Sequence, residues 1–149
     1  ECAVVTHYRL KTDPDNPSSF LEKQVEWDVA KNIIRDESVS AQSITFDNEA
    51  FYQFLASEIE PLETGNRKFD GIFIQVTGAG VEIEDYLRIA NANIGITSAQ
   101  SVPVYSNVEN GVGIVTSRYQ AISDELTLGS QARDSLYNSV ITADLRFVP

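Results

Sequence analysis

Alternation of apolar and polar positions, and the places where it stops, divide this chain into elements. Ala3-Val4-Val5-Thr6-His7-Tyr8-Arg9-Leu10-Lys11-Thr12 is dense in β-branched and aromatic residues and reads as a strand. Asp13 to Ser19 holds two prolines among turn formers and breaks it. Residues 20–35 carry two patterns at once. Ser19 to Glu22 fits a helix capping box, and Leu21, Val25, Val29 and Ile33 repeat every four residues. Gln24-Val25-Glu26-Trp27-Asp28-Val29 alternates strictly, however, and puts Val25, Trp27 and Val29 on one side, so the strand is preferred.

After a polar loop over 38–42, Ser43 to Phe46 reads as a short strand. Asp47 then supplies an N-cap and Glu49 a first-turn acid for a helix over Asp47–Glu60. Phe51, Phe54, Leu55, Glu58 and Ile59 trace its inner face, with Ala50 at the edge, and Pro61 ends it. Phe69 to Thr77 is a strand with Ile72, Ile74 and Val76 facing one way and Phe73 and Gln75 the other. Residues 82–91 read as a short helix, and 91–107 as a long polar connection containing Pro103. A reversal at Asn110-Gly111 leads into residues 112–118, expected to be an interior strand with Val112, Ile114 and Thr116 on one face. Leu126-Thr127-Leu128 extends a hairpin, Gly129-Ser130 opens a short helix through Leu136 and Tyr137, and Asp144 to Val148 closes as a strand. The expected architecture is α+β: an antiparallel sheet with one main helix and short helices packed on one face.

Charge narrows the partners. Eleven basic residues stand against 22 acidic ones, for a net charge of −11. Such a surface repels nucleic acid and offers no basic face to an anionic membrane. The acids are dispersed, as in a solubilising surface, rather than gathered into a recognition patch. No run approaches the ~18 uninterrupted apolar residues of a membrane span. Met is absent, even at position 1, and the expectation is that Glu1 marks a cut, either a removed signal peptide or a trim from a larger protein. Cys2 is the sole cysteine and is expected at a frayed terminus; Glu1 ahead of it argues against a lipid attached there.

Candidate chemistry is sparse. A nucleophile needs a base and an orienting acid, yet His7 is the only histidine and lies inside a strand, and no Gly-x-Ser-x-Gly elbow is present. One His and one Cys fall short of a zinc site. Asp13, Asp15 and Asn16 lack EF-hand spacing. Gly78-Ala79-Gly80 follows a strand, but the third glycine of a dinucleotide fingerprint is missing and Glu82 and Glu84 stand where phosphate would approach, so it reads as a tight turn. No catalytic residue, metal ligand or cofactor is therefore assigned. Binding has more to work with. Tyr105, Asn107 and Asn110 share the loop before the expected strand, and Arg118 and Tyr119 lie further along it. Aromatic, amide and guanidinium groups together suit a glycan or a peptide edge. Each also has a local structural role open to it: Tyr105 on the core, Asn107 closing a turn, Arg118 paired with an acid.

The run Pro103-Val104-Tyr105-Ser106-Asn107-Val108-Glu109-Asn110-Gly111-Val112-Gly113-Ile114, followed by Ser117-Arg118, resembles the C-terminal signature of Bacteroidota cell-envelope lipoproteins of unassigned activity. Phe51-Tyr52-Gln53-Phe54-Leu55 and Thr142-Ala143-Asp144-Leu145-Arg146-Phe147 add to the likeness; Val115 departs from it, standing where an aromatic is expected. The resemblance implies an extracytoplasmic, lipid-tethered protein of which residues 1–149 are one C-terminal domain, anchored by a lipid outside this chain. It defines no catalytic residue. The leading expectation is thus a non-enzymatic module that binds a glycan or an envelope protein, or serves as a structural part of a lipoprotein. The rival is a carboxylate-dependent hydrolase of polysaccharide, which calls for two acids from distant segments in an open cleft. A third, a fragment completing a larger fold, calls for an exposed apolar face.

Overall fold

The computed structural model describes residues 1–11, 16, 18–31, 33, 38, 43–92 and 105–149. The break expected at 13–19, the loop at 38–42 and the connection at 91–107 lie wholly or partly outside the described residues.

The fold is α+β. Strand β1 (Cys2–Lys11) pairs antiparallel with β2 (Phe20–Ala30) on one side and β3 (Arg67–Ala79) on the other. Strand β4 (Arg118–Ile122) continues the row beyond β3, giving the order β2-β1-β3-β4. A two-residue strand, β5 (Phe147–Val148), runs parallel to the start of β3 and makes the sheet mixed. Helices α1 (Asn48–Glu58), α2 (Val81–Ala92) and α3 (Ser130–Asn138) complete the elements. No helix among the described residues is long and apolar enough to cross a membrane.

Antiparallel partners share a face. The register therefore aligns Val4 with Trp27 and Ile74, and Thr6 with Val25 and Ile72. This is the face that the Gln24–Val29 alternation and the Ile72/Ile74 spacing anticipated. Phe51, Tyr52 and Leu55 of α1 and Leu136 of α3 are buried against it, together with Leu145 and Phe147. Burying each such side chain contributes about 1.5–3 kcal/mol. Trp27 clamps β2 to α1, stacking on Phe54 at 5.5 Å and 16°.

Helix α1 starts where expected: the Asp47 carboxylate accepts the Ala50 N–H at 2.6 Å. Phe51, Leu55 and Ile59 of its inner face are buried as expected and Phe54 is half-buried against the core, with one addition and one exception. Tyr52 is buried and Glu58 exposed, because α3 packs beside α1 and takes the Tyr52 phenol, which donates to the Ala132 carbonyl at 2.7 Å. Helix α2 forms as expected, and Leu126 bridges to Ile72 to extend the β4 side of the sheet.

Four expectations are corrected. Residues 112–117 form no strand and lie at the surface, with Val112 84% and Val115 70% exposed; pairing begins only at Arg118, at the margin of the sheet. The reason is local: Ser106 and Asn107 side chains capture the backbone of residues 111–115 in place of a ladder. Residues 43–46 are not a strand either; they lie outside the sheet, and Phe46 packs edge-on against Trp27 at 5.2 Å. The last strand is shorter than expected, because Ala143–Leu145 closes a 3-10 turn and Arg146 turns left-handed at φ 54° before β5 begins. Finally, Cys2 is not frayed. It is buried in β1 between Ala30 and Val76.

Candidate functional site

Two regions at opposite ends of β3 offer functional geometry. At the first, β3 carries β4. The Gly80 N–H donates to the Ser117 carbonyl at 3.0 Å and the Ser123 N–H to the Ile74 carbonyl at 2.9 Å. Hydrogen-bonded pairs alternate along an antiparallel ladder, so the odd residues of β4 face β3 and the backbone groups of Arg118, Gln120 and Ile122 face outward. All five residues of β4 are exposed. Tyr119 and Ala121 share a face with Val76, and Tyr119 (73% exposed) and Val76 (48%) extend the core face past the helices into solvent.

The loop ahead of β4 closes on itself. The Asn107 amide donates to the Val115 carbonyl at 2.6 Å and accepts the Val115 N–H at 2.8 Å, so one side chain does the work of a paired strand residue. The Ser106 hydroxyl accepts from the Gly113 N–H at 3.2 Å and donates to the Gly111 carbonyl at 3.2 Å. Asn110 makes the expected reversal at φ 57°. Of the five residues expected to bind, Asn107 and Asn110 thus shape the loop, Tyr105 is half-buried, and Arg118 and Tyr119 stand exposed on β4. Arg118 has no acid partner among the described residues.

At the other end, the first residues of β3, the segment before α3, and α3 itself enclose a cleft of about 450 Å³. Ser130, Arg133, Asp134 and Tyr137 line it from α3 and Lys68 and Asp70 from β3. Asp70 sits in a bulge: β1 pairs His7 with Gly71 and Tyr8 with Phe69, leaving Asp70 extra. Arg9 grips it, Nε donating to Oδ1 at 2.8 Å and Oδ2 at 2.9 Å and Nη2 to Oδ1 at 2.5 Å, which holds the guanidinium pKa above its ordinary value. A more open groove of about 710 Å³ runs between α1 and α3.

The sequence reading missed this cleft, since its walls come from segments some sixty residues apart. One signal was available. Ser130, Arg133, Asp134 and Tyr137 fall at i, i+3, i+4 and i+7, a polar and aromatic stripe on one helical face.

His7 packs against Phe73 with ring centroids 4.8 Å apart, away from Cys2 along β1. Among the described residues, no three His, Cys, Asp or Glu side chains form a group able to hold a metal ion. No family model matches the chain, nor does any curated protein or solved structure.

Proposed function

We propose that the chain is a non-catalytic, extracytoplasmic binding module that holds a protein partner by strand addition along β4. The observation that carries this is the contrast between the two edges of the sheet. An open edge invites another strand, and proteins blunt it with charges, bulges or proline. Edge β2 is blunted: Glu22, Lys23, Glu26 and Asp28 line it, and Val29 is an extra residue bulged against β1. Edge β4, Arg118-Tyr119-Gln120-Ala121-Ile122, has one charge, no proline and no bulge. A partner strand there gains backbone hydrogen bonds from Arg118, Gln120 and Ile122 and an apolar seat on Tyr119 and Val76. Asp124 and Glu125 directly after β4, and the net charge of −11, favour a basic extended segment. The likeness of residues 103–114 to envelope lipoproteins supports the extracytoplasmic setting.

The decisive variant is Gln120→Pro. The Gln120 N–H points away from β3, so proline spares the existing ladder and removes only the outward donor. Extended peptides selected on the intact protein from a random display library are expected to be basic with alternating apolar residues, and to bind Gln120→Pro at least about tenfold more weakly. Equal binding to both proteins would end the proposal.

The hydrolytic reading has one observation in its favour, that Asp70 and Asp134 line one cleft. Both oxygens of Asp70 are taken by Arg9, which leaves Asp134 without a free carboxylate partner there. Binding is therefore preferred.

A further inference from the structure

We infer that the cleft between β3 and α3 is a binding site for a singly charged sugar acid. Its cations are the starting point. In a chain with twice as many acids as bases, five of the ten lysines and arginines among the described residues are engaged: Arg9 with Asp70, Lys31 with Asp28, Arg88 with Glu84, and Arg67 and Arg146 with backbone carbonyls; of the other five, Lys11, Lys23 and Arg118 lie outside this cleft. Lys68 and Arg133 make no ion pair or hydrogen bond among the described residues, and both line this one hollow.

Asp70 does not neutralise them, because Arg9 already does that for Asp70. Asp134 offsets one of the two positive charges, so the side chains that line the cleft leave one positive charge in excess, which favours a ligand with a single carboxylate. A planar guanidinium such as that of Arg133 suits a carboxylate in particular. The remaining groups specify what the carboxylate is attached to. Asp134 is an acceptor that requires hydroxyl donors, and Thr127 and Ser130 can donate or accept. Half-buried Tyr137 offers an apolar ring face for the C–H side of a sugar. A dianionic phosphate meets repulsion from Asp134. The volume of about 450 Å³ lies in the small-molecule range.

This site stands apart from the β4 edge. Lys68 and Gly78 are ten residues apart on β3, roughly 30 Å along an extended strand. The two proposals therefore fail separately, and Gln120→Pro is expected to leave sugar-acid binding unchanged.

The test is titration of the intact protein with D-glucuronate, with D-glucose and inorganic phosphate as comparators, followed by NMR and calorimetry. Saturable shifts at Lys68, Arg133 and Tyr137 with glucuronate, weaker ones with glucose, and a loss of about fivefold or more in affinity for Arg133→Gln and for Lys68→Gln are expected. Lys23→Gln, at an exposed cation on β2 outside the cleft, is expected to bind as the parent does. Absence of saturable binding, glucose binding as tightly as glucuronate, phosphate displacing it at equal concentration, or an equal loss in Lys23→Gln would each overturn the assignment.

Discussion

The Arg67 guanidinium is buried without a carboxylate bound to it among the described residues, and its Nη1 donates to the Leu145 carbonyl at 2.8 Å. Nη2 donates to the Glu60 carbonyl at 2.6 Å, and the group lies over the Tyr8 ring at 5.8 Å. Arg67 thus ties the segment leaving α1 to the 3-10 turn ahead of β5. Its Nε has no partner among the described residues, and burial pulls the guanidinium pKa below its ordinary value, so the desolvation cost is offset by two carbonyls and a ring. Arg67→Ala is expected to destabilise the protein by about 3 kcal/mol, from orphaned carbonyls and a lost apolar stem. Arg67→Lys keeps the charge but not the fork that spans both carbonyls, and is expected to lose about half as much. Urea unfolding at unchanged m-value measures both, and a lysine variant as stable as the parent would refute this role.

How far the sequence discloses the fold depends on whether the forces on a segment are local. Trp27 illustrates the favourable case. Alternation placed it on one face with Val25 and Val29, and that same face meets Phe54 across the core, so pattern and packing agree. Asp47 is likewise legible, because a cap acts three residues away. In sequence, residues 112–117 also place Val112, Ile114 and Thr116 on one face, yet the backbone of Gly113 and Val115 is held by the side chains of Ser106 and Asn107, across a turn, which periodicity does not register. Tyr52 escaped the expected face of α1 because α3, some eighty residues later, supplies its partner. The same distance hid the cleft: Lys68 and Arg133 have no sequence relationship until β3 and α3 meet.

Asn107 carries a second prediction. Its amide satisfies both the N–H and the carbonyl of Val115, so Asn107→Ala is expected to expose the Val115 amide to exchange and open the 106–115 loop. Because the loop is exposed, overall stability should fall by only about 1 kcal/mol. Asn107→Asp still accepts from the Val115 N–H but turns a second carboxylate oxygen toward the Val115 carbonyl, and is expected to protect that amide less than asparagine does. Hydrogen exchange at Val115 decides the matter. Unchanged protection in Asn107→Ala would mean that the amide does not hold the loop.

The alkaline limb of stability follows from Tyr52. Burial pushes its phenol above the ordinary tyrosine value, since ionisation would place a charge between α1 and α3 and forfeit the hydrogen bond to Ala132. A tyrosine whose pKa is higher folded than unfolded contributes stability that is fully present below the unfolded value of about 10, and loses it as pH rises through the folded value. The unfolded chain sheds its proton first, and that drains the native state. Tyr52→Phe removes both the bond and the titration. At neutral pH the variant is expected to be less stable by about 1 kcal/mol. The gap between the two proteins should then narrow as pH rises through the unfolded value of about 10, because only the parent is losing this contribution. The other tyrosines are common to both proteins and cancel in the difference. Urea midpoints on either side of that value test it: parallel curves for parent and variant would show that the Tyr52 phenol is not held neutral by the α1–α3 contact.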